Sequence, residues 1–324
     1  MTPPAAGAPG PSLLPLLEDG ALRMEVDPGL LPLLRRWLPL LPYHHLAAAP
    51  AAAVLRVLAG DPAGAARPPG APVLRLGSVD AWVEGDRAWL AGTAGCSGAL
   101  DLARREARLA APAAHADPDA VAWDLYSMAT LSAALLLGRM GRALAHTAAV
   151  VAPGGGAWLL AGDAFAGKTT TCANLAESGW GYVSDDHLVL YRGADGEVRV
   201  EGWPRRFHVD EGWEAGAPVG RRGETDPHAR WPGRWRRTAP LAGLLFPRVD
   251  AELPTALAPL PAADALAALM RQSPWLLADF ASAGEVLGLL RAACERPAFT
   301  LRLGLDSYRD TARLRRVLRP ATGG

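Results

Sequence analysis

The stretch Gly155–Tyr191, GGAWLLAGDAFAGKTTTCANLAESGWGYVSDDHLVLY, decides how the rest of the chain is interpreted. Its apolar run Ala157–Ala161 predicts a buried strand. The eight residues from Gly162 to Thr169, GDAFAGKT, then match the pattern G-x-x-x-x-G-K-[ST] at every fixed position. A helical pattern and a second strand follow. The stretch therefore has the order of strand, loop and helix in which this motif binds phosphate.

Each residue type in this loop has a physical reason to be there. Gly162 and Gly167 let the backbone turn sharply, so that successive N–H groups point at one anion. The helix that starts near Lys168 adds the positive end of its dipole. We expect Lys168 to reach the terminal phosphates of ATP, or of another nucleoside triphosphate, and the Thr169 hydroxyl to ligate Mg²⁺. The predicted nucleotide-binding residues are Gly162, Asp163, Ala164, Phe165, Ala166, Gly167, Lys168, Thr169 and Thr170.

Two adjacent carboxylates arrive only one helix and one turn after Lys168. Asp185 and Asp186 interrupt the second strand between Ser184 and the apolar run Leu188–Leu190. Neighbouring side chains in a strand point to opposite faces, but a local break brings both to one site. One carboxylate can then hold Mg²⁺, and the other can accept the proton of an attacking hydroxyl. The alternative interpretation of the pair is a solvated turn.

Composition narrows the classes of partner and compartment. The chain has 324 residues, half of them apolar, and a formal net charge of zero, so no overall charge favours nucleic acid or an anionic membrane. The only lysine is Lys168. The cysteines Cys96, Cys172 and Cys294 lack disulfide or zinc spacing. The apolar run Met128–Leu137 is shorter than the ~20 residues that cross a bilayer. We expect a soluble, cytoplasmic protein without a membrane or nucleic-acid partner.

The sequence predicts three parts along the chain. Residues 1–12 are rich in Pro, Ala and Gly and are predicted to be a disordered tail. Residues 13–118 contain short strands such as Val79–Val83 and predict a small α+β domain. Residues 119–324 begin with the helical stretch Trp123–Ala145 and contain the motifs. Their strand, loop, helix and strand predict an α/β domain with a mostly parallel or mixed sheet.

The segment Gly202–Arg237 differs from its surroundings because it combines tryptophan and arginine with Pro and Gly. Interleaved Trp and Arg are typical of surfaces that bind nucleic acid or acidic peptides. The neutral chain favours instead a long, partly ordered loop over the active site, with tryptophans filling gaps. The four tryptophans of the segment are Trp203, Trp213, Trp231 and Trp235.

Three features together carry a family resemblance: GDxxxGKT at 162–169, GWxxxSDD at 179–186, and His146 on an upstream predicted strand. They resemble the HPr kinase/phosphorylase superfamily, and most closely the HPr-kinase-related proteins found beside peptide-modification genes. The resemblance covers Trp123–Val209. It implies an HPr-kinase-like P-loop kinase domain over 119–324, similar to the nucleotide site of phosphoenolpyruvate carboxykinase, after the small N-terminal domain.

The resemblance also implies roles for single residues. Lys168 and the loop backbone bind phosphates, and Asp185 is the base in the kinase direction. Asp186 is the metal-associated partner, together with Thr169. His146 lies beside the phosphates. The implied reaction moves the γ-phosphate of ATP to a Ser or Thr hydroxyl of a peptide, a protein or a small amino-acid-like acceptor.

The sequence departs from the family pattern in two places. Phe165 stands in a loop where the family commonly has small residues, and it narrows the mouth of the loop. The segment 203–208, WPRRFH, replaces the signature of true HPr kinases, so the resemblance does not extend to HPr as substrate or to phosphorolysis. Within it, Arg205, Arg206 and His208 are candidate contacts for the γ-phosphate or the acceptor.

Two other functions stay open at this stage. The chain could be a nucleotide-gated binding module that holds a partner peptide with the Trp/Arg segment, or an ATPase without an acceptor. No residue pattern identifies the acceptor, and a homo-oligomer is neither required nor excluded.

Overall fold

The computed structural model describes residues 12–38, 51–60, 67–113, 117–203, 205–212, 216 and 219–322. Of the predicted disordered tail, only Ser12 is among them, and it begins the first strand. The chain divides into two compact units, Met1–Leu136 and Leu137–Gly324. The sequence placed the division at 118/119. In the structure it falls near the end of the helix that starts there, because most of that helix packs with the N-terminal unit.

The N-terminal unit is built on one eight-stranded mixed sheet. Its strand order is β1-β2-β3-β8-β7-β6-β5-β4, with parallel pairing only among β2, β3 and β8. The elements are β1 (Ser12–Pro15), β2 (Leu22–Val26), α1 (Leu31–Leu34), β3 (Ala53–Ala59), β4 (Leu74–Leu76), β5 (Val79–Glu84), β6 (Arg87–Gly92), β7 (Ser97–Asp101), β8 (Glu106–Ala111) and α2 (Pro118–Gly138).

Helix α2 is tied to this sheet by a buried carboxylate. Asp124 accepts hydrogen bonds from the Ser78 hydroxyl and, at 2.7 Å, from the Ala94 N–H. Among the described residues, α2 alone is long and apolar enough to cross a membrane, yet 89% of its most apolar window is buried inside the protein. The run Met128–Leu137, which the sequence treated as too short for a span, belongs to this longer helix.

The C-terminal unit contains a nine-stranded mixed sheet, a two-stranded hairpin and six helices among its described residues. Its strands are β9 (Ala143–Ala145), β10 (Thr147–Val151), β11 (Ala157–Ala161), β12 (Gly181–Ser184), β13 (Leu188–Arg192), β14 (Val198–Gly202), β15 (Phe207–Asp210), β16 (Arg222–Thr225), β17 (Thr238–Val249), β18 (Ala256–Pro259) and β19 (Ala298–Leu303). Its helices are α3 (Lys168–Glu177), α4 (Pro227–Arg230), α5 (Ala262–Arg271), α6 (Phe280–Ala293), α7 (Leu305–Arg309) and α8 (Thr311–Thr322), with a 3₁₀ turn at Pro274–Leu277.

The strand order β12-β10-β11-β17-β14-β13-β9 brings the start of β10 together with the ends of β11 and β12. Strand β10 lies between β11 and β12 and runs antiparallel to both. In register, Thr147 of β10 faces Ala161 of β11, and Ala149 faces Ser184 of β12. The start of β10 therefore meets the ends of β11 and β12. The sheet is mixed, as expected, because β10 separates the two strands joined through α3.

Both faces of this sheet are covered. Helices α3 and α8 and the strand β15 pack on one face, and α5 and α6 pack on the other. Strands β10 and β11 are buried at every position, and apart from Thr147 their sequences are accordingly continuous apolar runs rather than alternating ones.

The described residues of the segment Gly202–Arg237 contain more secondary structure than the sequence suggested. It contains the β15–β16 hairpin and the short helix α4, which Asp226 caps by accepting the N–H of His228. Trp203 and Trp231 are buried, at 1% and 4% exposure, so these tryptophans do fill the core. Trp213 lies outside the described residues.

Substitution of Gly243 on β17 tests how closely the ring of Trp158 packs against this strand. A Cβ at Gly243 would lie 2.3 Å from the indole of Trp158 on β11, which is buried at 3% exposure. We expect Gly243→Ala to lower the free energy of unfolding by about 1–3 kcal/mol, because the ring must move in a filled core. Urea denaturation measures the change.

Gly284→Ala on α6 is the matched control, since nothing lies within 4 Å of a Cβ there. We expect it to be stabilising by about 0.5–1 kcal/mol, because alanine is the better helix former. Equal effects of the two substitutions would contradict the close approach of Trp158 to Gly243.

Candidate active site

The glycine loop, residues 162–167, connects β11 to α3 through strained backbone. Gly167 is the N-cap of α3 at φ 96°, and Phe165 has φ 66°, a region that side chains rarely adopt. A Cβ at Gly167 would lie 2.6 Å from Leu303, so this position needs glycine for space as well as for conformation. Since Gly167 has no side chain to cap α3, the first N–H groups of the helix are available to an anion.

Lys168 crosses the glycine loop instead of pointing to solvent. Its side chain is 7% exposed, and Nζ donates to the carbonyl oxygens of Gly162 at 2.6 Å and Asp163 at 3.1 Å. Burial lowers the pKa of Lys168, against the opposing effect of nearby carboxylates, of which Asp186 is the strongest and Asp185 a weaker one. The chain's only lysine therefore places its amine among the loop carbonyls, close to both aspartates.

Asp185 lies in the bend directly after β12 and is 3% exposed. Burial and, after it, the charge of Asp186 raise the pKa of Asp185 to about 7, against the lowering effects of Arg205, the Thr169 hydroxyl and the backbone N–H of His208. Its Oδ1 atom has no hydrogen-bond partner among the described residues. A buried carboxylate of this kind is able to take up a proton near neutral pH.

Asp186 has the opposite environment. His146 Nε2 lies 3.2 Å from Oδ1, and both Arg205 Nη1 and His187 Nδ1 contact Oδ2. Burial alone would raise the pKa of Asp186, but His187, His146 and Arg205 outweigh it and hold the pKa well below its usual range. Asp186 is therefore the charged member of the pair. The sequence predicted that a local break would bring both aspartates together, and the bend after β12 has this geometry.

The structure also shows where the remaining predicted residues lie. His146 is in the break between β9 and β10, not within a strand as the sequence suggested, because the chain passes there from pairing with β13 to pairing with β11 and β12. Arg206 pairs with Glu224 at 2.8 Å across the hairpin. His208 Nε2 is 3.8 Å from the same carboxylate, and burial, followed by Arg205, lowers the His208 pKa.

Two residues of the site were missed at the sequence level. His187 is buried and stacks between His146, with ring centroids 5.1 Å apart, and Trp275 at 6.1 Å. The side-chain amide of Gln272 donates to Asp163 Oδ1 at 3.2 Å, and the backbone carbonyl oxygen of Gln272 accepts the N–H of His146 at 2.7 Å. The position of His187 beside the aspartate pair was a signal for it, whereas nothing in the sequence links Gln272 to the loop.

Two cavities flank the glycine loop. The larger, about 620 Å³, is open and mixed in charge, and its lining includes Ala164, Ala166, Asp163, Arg271 and Gln272. The smaller, about 230 Å³, adjoins the first turns of α3 and is mainly apolar. Thr170, the last of the predicted nucleotide-binding residues, lines the smaller cavity.

The oxygen atoms near the glycine loop suit a Mg²⁺ ion that takes its other ligands from phosphate and water. Among the described residues, no group of three or more His, Cys, Asp or Glu side chains is arranged to hold a metal ion. Oxygen donors are nevertheless present, in the Thr169 hydroxyl and in the carboxylate of Asp186, the charged member of the aspartate pair. Mg²⁺ bound with nucleotide takes most of its ligands from phosphate and water, so these residues fit it.

Comparison with known proteins finds similarity among solved structures only. No protein-family model and no curated protein matches the chain. Among solved structures, it is similar to the Hpr(Ser) kinase/phosphatase from Coxiella burnetii, with 12% identity over 56% of this chain and 99% of that chain, and a TM-score of 0.33.

Because Asp185 and Asp186 have opposite environments, we expect their substitution by Asn to have opposite effects on the free energy of unfolding. Folding raises the pKa of Asp185 from 3.8 to about 7, so the folded state binds the extra proton and its free energy of unfolding falls as pH rises through this range. We expect Asp185→Asn to remove that slope and to stabilise the protein at pH 8 by up to about 4 kcal/mol, at about 1.4 kcal/mol per pKa unit.

Asp186→Asn is the paired variant. The pKa of Asp186 is lowered by folding, so its stabilisation is present above the unfolded pKa and is lost as pH falls. We expect a loss of roughly 3–5 kcal/mol at pH 8, since Arg205 would lose its buried partner. Urea denaturation at pH 5 and pH 8, without nucleotide or divalent cation, measures both. An unchanged pH slope in Asp185→Asn would contradict the raised pKa.

Proposed function

We propose that the chain is an ATP-dependent kinase that transfers the γ-phosphate to a Ser or Thr hydroxyl of a peptide, a protein or a small amino-acid-like acceptor. One observation carries the proposal. The loop that matches a phosphate-binding motif, with Lys168 at its centre, meets the buried Asp185 at one edge of the sheet. A phosphate cradle beside a carboxylate that titrates near neutral pH suits phosphoryl transfer to an alcohol.

In this proposal the glycine loop holds the β- and γ-phosphates. The open N–H groups at the start of α3 and the Lys168 amine face the same region and carry positive charge. When nucleotide binds, the amine exchanges the carbonyl oxygens of Gly162 and Asp163 for phosphate oxygens. Thr169 and Asp186 would hold Mg²⁺, whose positive charge would offset the charge of the phosphates.

Asp185 is the proposed general base. The acceptor hydroxyl gives its proton to the Asp185 carboxylate while its oxygen forms a bond to the γ-phosphorus. The bond between that phosphorus and the bridging oxygen breaks, and ADP leaves with the electron pair. Burial favours this role, because it raises the pKa of Asp185 to about 7 and so makes the carboxylate a better proton acceptor at neutral pH.

Asp186 and its cationic partners hold the other half of the site. His146 and Arg205 both contact Asp186, so they lie within reach of a γ-phosphate bound beside it. Arg205 can stabilise the charge of the transferring group by a charge-assisted hydrogen bond. Arg206, directly before β15, and His208, on β15, remain candidate contacts for the acceptor.

The family and setting belong to the same proposal. The two motifs and His146 resemble the HPr kinase/phosphorylase superfamily, and they support an HPr-kinase-like P-loop domain in a cytoplasmic protein. The acceptor class rests on that resemblance. A homo-oligomer is compatible with it.

A nucleotide-gated binding module is the second candidate, and one contact favours it. The Arg222 guanidinium lies 4.6 Å from the centroid of the Phe165 ring, so the hairpin touches the tip of the glycine loop. Nucleotide in the loop would then change a surface able to hold a peptide. Nucleotide-dependent peptide affinity without a phosphopeptide would decide for this function.

Transfer can be tested with labelled ATP, Mg²⁺ and a panel of acceptors: peptides encoded near this gene, Ser/Thr peptide libraries, free serine and free threonine. We expect Asp185→Asn to slow transfer by ~10²–10⁴-fold with ATP binding retained, because general bases contribute about that much. Lys168→Met is expected to weaken ATP binding itself.

The matched control is Asp195→Asn, which changes the same group on an exposed turn and should leave transfer unchanged. Transfer that survives Asp185→Asn would remove this residue as the base. Acceptor-independent phosphate release by the wild-type protein, with no phosphorylated product, would favour an ATPase over the kinase.

A further inference from the structure

The smaller cavity beside α3, the α3–α7 cavity, has no role in the proposed transfer. It encloses about 230 Å³ and is lined by Phe165, Thr170, Thr171, Leu303, Leu305 and Tyr308, among others. Gly167 also lines it, so the cavity opens directly beside the phosphate cradle. Its size is below the ~300–1,000 Å³ of sites for drug-sized ligands, so it suits part of a nucleotide better than a whole one.

Phe165 is an unusual wall for this cavity. Its ring is 75% exposed, although large apolar side chains are normally removed from water, and its backbone is held at φ 66°. Backbone strain of this kind concentrates at ligand clamps and active sites. The Arg222 guanidinium rests over the ring, and Arg222 also lowers the pKa of Lys168, so the pair stands close to the cradle.

A buried hydroxyl gives independent evidence for a ligand. Thr171 lines the cavity at 1% exposure, and its Oγ1 atom has no hydrogen-bond partner among the described residues. Buried polar groups are normally satisfied, and an orphan costs stability. A polar ligand atom in the cavity would provide the missing partner.

The lining of the cavity also includes a fixed negative charge, the carboxylate of Asp210. Asp210 accepts the Tyr308 hydroxyl and the backbone N–H groups of Gly212, Val219 and Gly220. Burial would raise the pKa of Asp210, but these donors together lower it, so the carboxylate stays ionised at neutral pH. An ionised carboxylate accepts hydrogen bonds from sugar hydroxyls and repels phosphate. Asp210 therefore favours ribose beside it.

We propose that the α3–α7 cavity takes the nucleoside of the phosphate donor, with the base stacked on Phe165, a base or ribose atom on the Thr171 hydroxyl, and ribose towards Asp210. This inference rests on the proposed function, which puts the triphosphate in the adjoining loop. Recognition is mainly by stacking and apolar contact, so the site selects for a planar base more than for its hydrogen-bonding edge.

The larger cavity is the less suitable place for the nucleoside. Gln272 lines it and holds the backbone of His146, which contacts Asp186. That cavity therefore lies on the side of the paired aspartates, where the acceptor must arrive. The nucleoside and the transferred γ-phosphate of the donor are thus assigned to opposite sides of the glycine loop.

The test compares Mg²⁺-ATP with Mg²⁺-tripolyphosphate, which carries the phosphates without a nucleoside, by calorimetry on the full chain. We expect the wild-type protein to bind ATP at least tenfold more tightly. Phe165→Ala should weaken ATP by roughly 5- to 100-fold, as loss of base–aromatic stacking does, and leave tripolyphosphate unchanged. Phe165→Tyr, which keeps an aromatic ring, should bind ATP as the wild-type protein does. Thr171→Val should weaken ATP alone.

Phe280→Ala is the control, because it removes another ring that is 83% exposed but lies on α6. If ATP and tripolyphosphate bind equally and Phe165→Ala changes neither, the nucleoside lies elsewhere and this inference is overturned while the kinase remains. If neither ligand binds, the phosphate cradle itself is wrong, and the proposed function falls with the inference. An equal loss of both ligands in Phe165→Ala would mean that Phe165 shapes the loop and does not hold a base.

Discussion

Two carboxylates that follow one another in the chain cannot both remain charged in a buried site without cationic partners. The C-terminal unit resolves this by giving nearly all the positive contacts to one of them. Asp186 contacts Arg205, His146 and His187 and stays ionised. Asp185 is left buried, with a pKa raised to about 7. Their separate environments turn two chemically identical side chains into a fixed charge and a group that exchanges protons near neutrality. The proposed division of labour in phosphoryl transfer depends on this separation.

The sheet order makes the separation possible. Because β10 runs antiparallel between β11 and β12, its first residues lie beside the last residues of both neighbours. The glycine loop, the aspartate bend and His146 therefore meet at one edge, although they come from three different strands. In a simple βαβ unit, β11 and β12 would be neighbours, and no intervening strand would bring His146 beside their ends. The residues after α5 complete the arrangement through Gln272 and Trp275.

The hairpin β15–β16 connects the two sides of the glycine loop. Arg205, two residues before β15, reaches Asp186, and Arg222, at the start of β16, covers Phe165. One element thus contacts both the proposed chemical centre and the proposed nucleoside cavity. This arrangement gives the Arg-rich segment a physical role without requiring a nucleic-acid partner, in keeping with the zero net charge of the chain.

The sequence by itself determined the local features: a strand, a glycine loop with one lysine and a helix, followed by two adjacent aspartates at a break. These follow from short-range rules of backbone freedom and apolar periodicity, which act within a few residues. Only the tertiary structure decided that His187 and Gln272 join the site, that Asp185 and Asp186 differ in charge state, and that Phe165 and Thr171 line a cavity. Burial and strand order arise from contacts between segments far apart in the chain. A motif can specify such residues, but it cannot specify the surroundings that set their charge and exposure.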